Sequence, residues 1–180
     1  FPFRARSTGR ACSFPMSVKF LSVDVRPQRP DHPHVVAMLD ALDRYLASLY
    51  PPEENYLLDV QALLSPEVHF VAAWQGEEAV GCGAFRRADG DATTRGIAYG
   101  EIKRMFVSPA CRGQRVGERL LEALETEQRR QGLALSLLET GHEQAAAVRL
   151  YERCGYARRP AFGSYPDNGS SLFYAKVLQP

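Results

Sequence analysis

Between Ala98 and Thr140 the chain runs AYGEIKRMFVSPACRGQRVGERLLEALETEQRRQGLALSLLET, and this stretch constrains the fold more than any other. Ala98–Val107 reads as a long strand, stopped at Ser108-Pro109 because proline lacks an N–H and fixes φ. From Val116, the apolar residues Val116, Leu120, Leu121 and Leu124 recur at helical spacing. Glu118, Arg119, Glu122 and Glu125 fall mainly on the opposite side. Gly132 closes that helix. Leu133–Thr140 is nearly all apolar, as expected of a strand covered on both faces. A strand, a polar turn, a one-sided helix and an apolar strand in succession make this an α/β chain.

The flanks extend the pattern. Val18–Val25 alternates and reads as a strand, closed off by Pro27, Pro30 and Pro33. His34–Tyr50 sets Val35, Met38, Leu39, Leu42, Leu46 and Leu49 on one helical face, before Pro51 and Pro52. A short second helix is expected within Asn55–Leu64. HFVAAWQGEEAVGCGAFRR reads as two strands around a turn at Gln75–Glu78. Thr140-Gly-His-Glu143 fits a capping box for a helix over about Glu143–Cys154. YARRPAF and SLFYAKVL close the chain as two strands. The expected architecture is a single α/β domain. It has a central mixed, mostly antiparallel sheet of about seven strands, flanked by about four helices.

Composition narrows the functional classes. A chain of 180 residues fits one domain with a substantial core. Its formal charge of +1 offers no argument for nucleic acid or an anionic membrane as partner, and weakens the case for a strongly cationic acceptor. No apolar run approaches the roughly 20 residues a membrane helix needs. Cys12, Cys82, Cys111 and Cys154 are scattered, with no Cys-x-x-Cys pair and no zinc-like spacing. We therefore expect no metal and a reduced, cytoplasmic setting. Residues 1–15, FPFRARSTGRACSFP, carry three arginines, no acid and no periodicity. They are expected to be a disordered leader, with Met16 as the natural start and a domain over 16–180.

The segment CRGQRVG, residues 111–117, puts glycines and arginines at a helix entry. The first turn of a helix carries unpaired N–H groups and partial positive charge. Glycine lets an anion approach the backbone, and Arg112 and Arg115 add charge suited to phosphate oxygens. A tight turn with two solvated arginines is the plain alternative. Neither the Gly-x-x-x-x-Gly-Lys-Ser/Thr loop nor Gly-x-Gly-x-x-Gly is present.

A second motif lies downstream, QAAAVRLYERCGY over Gln144–Tyr156. Together with MFVSPACRGQRVGERLLEALE, it resembles the GNAT superfamily of acetyl-CoA-dependent N-acetyltransferases. That family carries Arg/Gln-x-x-Gly-x-Gly/Ala after a strand ending in Val-x-Pro. Its later helix reads Asn-x-x-Ala-x-x-Leu-Tyr-x-x-x-Gly-Phe/Tyr. The element order is also similar over residues 18–178. Two positions depart from the pattern. Arg115 stands where the family has its second glycine, and Gln144 stands for the usual Asn. Arg115 is expected in the right-handed region of the first helical turn, within reach of a phosphate.

The resemblance implies acetyl-CoA as co-substrate and a small-molecule primary amine as acceptor, with a protein amine also open. Direct transfer in a ternary complex is implied, and homodimers are common in such proteins. The pyrophosphate would meet backbone amides of Arg112, Gly113, Gln114, Arg115, Val116, Gly117 and Glu118, with Gln144 also in contact. The pantetheine arm would lie along the main chain of Met105, Phe106 and Val107. Tyr151 matches the position of a general acid near the thioester sulfur; packing beside Leu150 is its alternative. Glu101, eleven residues before Arg112, matches a general base in some relatives; a salt bridge is its alternative. Glu139, Lys103 and Arg104 are candidate substrate contacts, the two cations leaning toward an acceptor with a carboxylate. Tyr50, Tyr56 and Tyr165 lie in segments that flank the acceptor groove in related proteins. Period-two alternation puts Glu101, Lys103 and Met105 on one strand face and Ile102, Arg104 and Phe106 on the other. A non-catalytic acetyl-CoA-binding sensor is the rival reading.

Overall fold

The structure is a computed structural model, described over residues 22–166 and 169–179. The expected leader and Met16 lie outside the described residues. Strand β1 (Val23–Pro27) leads to helix α1 (Pro33–Ala47), a 3-10 turn (Pro52–Glu54) and the short α2 (Val60–Leu63). Strands β2 (Val68–Gln75), β3 (Glu78–Ala88) and β4 (Tyr99–Val107) follow, then α3 (Val116–Arg130). The chain finishes with β5 (Leu135–Gly141), α4 (Ala145–Arg153), β6 (Ala157–Arg159) and β7 (Ser171–Val177). One 7-stranded sheet has the order β1-β2-β3-β4-β5-β7-β6. The β4–β5 pair is parallel and its other neighbours are antiparallel. The order and the mixed sheet agree with the sequence expectation.

Alternation along the apolar strands feeds two cores. Val71 and Ala73 of β2 face α3 and pack with Val116, Leu120, Leu121 and Leu124. Phe70, Ala72 and Trp74 face the other way and pack with Val35, Met38 and Leu39 of α1. Each fully buried leucine stabilises the fold by about 1.5–3 kcal/mol relative to exposure.

The short helix expected within Asn55–Leu64 is α2, started where the Asp59 carboxylate accepts the Ala62 N–H at 2.7 Å. Two local expectations are corrected. The capping box at Thr140 does not form, since β5 continues through Thr140 to Gly141 and the N-cap is Gln144. The alternation along β4 also breaks. Arg104 takes φ 56, and the β3–β4 register shifts between Cys82 and Ala84. Beyond this bulge the faces exchange. Met105 joins Ile102 on the α3 side, and Phe106 packs with Leu42 and Leu46 of α1.

Candidate active site

Parallel pairing between β4 and β5 runs only from Gly100↔Ser136 to Ile102↔Leu138. Past that point the two strands diverge. The backbone of Met105, Phe106 and Val107 then forms one wall of a cleft instead of pairing with β5. Strand groups left unpaired in this way are available to a ligand with amide groups of its own.

The cleft holds a cavity of about 360 Å³. Met105, Phe106 and Val107 line it from β4, and Gln144 and Tyr151 line it from α4. Arg112, Gly113, Arg115, Val116, Gly117 and Glu118 surround its other end. Gln114 is the one member of that turn directed elsewhere. Its side chain accepts from Gln75 at 3.2 Å and donates to the Ala110 carbonyl at 3.4 Å.

The turn is built by two left-handed residues. Gly113 has φ 79, which glycine adopts freely. Arg115, the N-cap of α3, has φ 61 and ψ 17. The expectation of a right-handed Arg115 is thus overturned: the chain must reverse there to enter α3. The Arg119 N–H donates to the Arg115 carbonyl at 3.1 Å. The amides of Val116, Gly117 and Glu118 precede that first helical bond and present the helix's positive end to the cleft. Gly117 has a separate reason to lack a side chain: a Cβ there would lie 2.9 Å from Leu150 of α4.

Tyr151 is buried, with its ring edge-on to Tyr156 at 6.0 Å. Burial, and then the nearby charge of Glu139, push its hydroxyl well above the usual tyrosine range. That hydroxyl is protonated at neutral pH.

Glu101 sits in a different environment. It is 1% exposed and bonded on both oxygens. Arg86 donates at 2.8 Å, the Tyr165 hydroxyl donates at 2.6 Å, and the Lys103 ammonium lies 2.9 Å away. Burial alone would raise its carboxyl pKa. Lys103, the Tyr165 hydrogen bond and Arg86 outweigh burial and hold it below the ordinary value. A carboxylate so saturated is a poor proton acceptor.

The two cations beside it are also committed. Lys103 bonds the Tyr165 hydroxyl and the Tyr56 carbonyl as well as Glu101. Arg104 pairs with Asp43 of α1 and reaches the Leu39 carbonyl at 3.5 Å. Neither lines the 360 Å³ cavity.

Two features of the site lay beyond the sequence reading. Arg149 and Arg153 line the same cavity from one face of α4; their i, i+4 spacing beside Leu150-Tyr151 could have revealed them. Tyr50, just past α1, accepts the Glu143 N–H at 2.9 Å and bonds the Gln144 side chain. It thereby caps α4 from a distant part of the chain. A Cβ on Gly141 would fall 2.2 Å from its hydroxyl, so strand and tyrosine fit only because position 141 is glycine.

A family model described as "Acetyltransferase (GNAT) family" matches residues 35–156. An IAA acetyltransferase of Azospirillum brasilense is 45% identical over 157 residues, covering 87% of this chain and 99% of its own. A candidate acyl-CoA N-acyltransferase from Klebsiella pneumoniae has a solved structure with TM-score 0.69 and 34% identity, covering 87% of this chain and 98% of its own. A PaiA N-acetyltransferase from Thermoplasma acidophilum, solved with coenzyme A, shares the fold at TM-score 0.65 and 16% identity, covering 87% of this chain and 99% of its own.

Proposed function

The chain belongs to the GNAT acetyltransferase family and is an acyltransferase; from that premise we propose that it acetylates the primary amine of a small molecule by direct attack in a ternary complex. Acetyl-CoA, as co-substrate, supplies an activated thioester. The residues of the cleft fit it. The first-turn amides of α3, with Arg112 and Arg115, match the pyrophosphate in charge and donor type. The main chain of Met105–Val107 offers strand-like pairing to an amide-bearing arm.

The observation that carries this reading is the meeting of two cavities. The cleft and a smaller cavity share Gln144, at the start of α4, as a lining residue. A reactant in each would meet the other near that residue. Tyr151 then has its hydroxyl positioned to donate to the departing sulfur. Glu101 acts as an internal anchor in this reading, holding Arg86, Lys103 and Tyr165 together rather than accepting the amine proton. The compartment proposed is the reducing cytoplasm; Cys82, Cys111 and Cys154 are free thiols. No helix among the described residues is long and apolar enough to cross a membrane.

Calorimetry with acetyl-CoA and a thiol-release assay test the reading together. Tyr151→Phe is expected to keep acetyl-CoA affinity within about threefold and to lower kcat by about a hundredfold. Tight acetyl-CoA binding with no thiol release on any amine would establish the sensor instead.

A further inference from the structure

The smaller cavity, about 40 Å³, has room for a compact group and little more. Glu139, near the end of β5, lines it together with Tyr50, Tyr56 and Leu57, and Glu54 also lines it. Among the described residues its lining includes no lysine and no arginine. Lys103 is the nearest candidate to bind an acceptor carboxylate, and its ammonium is already held by Glu101.

Glu139 differs from Glu101 in one decisive respect. Oε1 accepts the Ser171 hydroxyl at 2.7 Å, while Oε2 has no hydrogen-bond donor among the described residues. The carboxylate is therefore oriented by one bond and has an oxygen left for a ligand. It also lies close enough to Tyr151 for its charge to be felt at that hydroxyl.

We propose that Glu139 is the group that receives the proton of the acceptor ammonium, and that the acceptor is a primary alkylamine with no anionic group beside the amine. This rests on the acetyl-transfer reading above. The ammonium gives one proton to Glu139. The freed nitrogen lone pair forms the C–N bond at the thioester carbonyl as the C–S bond breaks. The Tyr151 hydroxyl donates its proton to the departing sulfur and is reprotonated by the second nitrogen proton. Glu139 then returns its proton to solvent. An acceptor carboxylate or phosphonate next to the amine would sit near Glu139 with no cation in the lining to pair with it, and burying it so is costly.

The charged and titratable groups facing Glu139 are few. Glu101 and Lys103 face it from β4, Tyr151 from α4 and Tyr165 from the segment before β7. Glu54 lines the same cavity. Burial dominates over these and over the Ser171 bond, raising the Glu139 carboxyl above its ordinary value. The shift moves it toward the pH at which a base works best. The acidic limb of the rate profile then reports Glu139 losing its proton.

The test is thiol release from acetyl-CoA with matched pairs: ethylamine and glycine, n-propylamine and β-alanine. Wild type is compared with Glu139→Gln, whose amide oxygen can still accept from Ser171. Each amine without a carboxylate is expected to exceed its carboxylate partner at least tenfold in kcat/KM. Glu139→Gln is expected to lose about a hundredfold in kcat and the acidic limb of the profile. It should keep its acetyl-CoA affinity by calorimetry and raise the thermal midpoint of the ligand-free protein at neutral pH. Equal or better rates with glycine or β-alanine overturn the acceptor class. An unchanged kcat or an intact acidic limb in Glu139→Gln overturns the base. Failure of wild-type protein to release thiol with any amine overturns the acetyl-transfer reading along with this one; release that is indifferent to Glu139 overturns this one alone.

Discussion

Arg115 pays a backbone cost that Gly113 avoids. Both are left-handed, and a side chain in that region is strained by about 1–3 kcal/mol. Its guanidinium makes only a 3.8 Å ion pair with Glu118, and its side chain is 82% exposed. Arg115→Gly is therefore expected to raise stability by about 1 kcal/mol, read as a higher midpoint in urea. If the guanidinium meets the pyrophosphate, the same variant weakens acetyl-CoA binding by about two- to fivefold, more at low salt. Unchanged affinity would leave the backbone amides as the phosphate site.

Two glutamates on the adjacent strands β4 and β5 behave oppositely with pH. Glu101 has a lowered pKa, so its stabilisation is complete above the ordinary value of 4.5 and is lost as pH falls through the folded value. Glu139 has a raised pKa, so its ionised form opposes folding at neutral pH and protonation relieves that. Glu101→Gln leaves the Lys103 ammonium, 10% exposed, without its closest anion. A loss of about 3–5 kcal/mol in unfolding free energy is expected at pH 7. Chemical denaturation from neutral pH down to about pH 2 checks the contrast: Glu101→Gln should flatten the acid-side loss of stability, whereas Glu139→Gln should not. Part of this was legible beforehand: a salt bridge was the alternative reading of Glu101, and Arg86 and Lys103 form it. Glu101 was visible as a carboxylate in a strand, but Tyr165 is 64 residues away, and that pairing follows only from the fold.

Among the elements, α3 and α4 form the seam on which the cleft depends. Their glycine-marked ends were readable because each motif is local: a strand, a turn and a helix start within about a dozen residues. The β4 bulge was not. Period-two counting assumes regular pairing, and Arg104 departs from it where β3 shifts register against β4. Its guanidinium is tied to Asp43, 61 residues earlier, so the contact is invisible in the local pattern. The short α2 was legible within Asn55–Leu64, and the local cap Asp59 sets its start. The seam makes a direct prediction. Gly117→Ala presses its Cβ on Leu150 and should cost about 1–3 kcal/mol. Pairing it with Leu150→Ala should recover part of that loss, whereas simple additivity of the two would show that the contact is not the cause.

At the level of the whole molecule, one topological feature organises the chemistry. β4 and β5 are the parallel neighbours of an otherwise antiparallel sheet, and they pair over three residues before separating. That separation brings α3's start, α4's start, Tyr50 and the end of β5 around a single opening. The class of fold followed from the succession of strands and helices. The direction from which an acceptor would enter did not, because it depends on Tyr50 and Gln144 meeting across 94 residues of chain. In the proposed direct transfer, both reactants are bound before the acetyl group moves. Initial velocities of thiol release, measured over a grid of acetyl-CoA and alkylamine concentrations, test that claim most directly. Intersecting double-reciprocal lines are predicted; parallel lines, the mark of an acetylated enzyme intermediate, would contradict it.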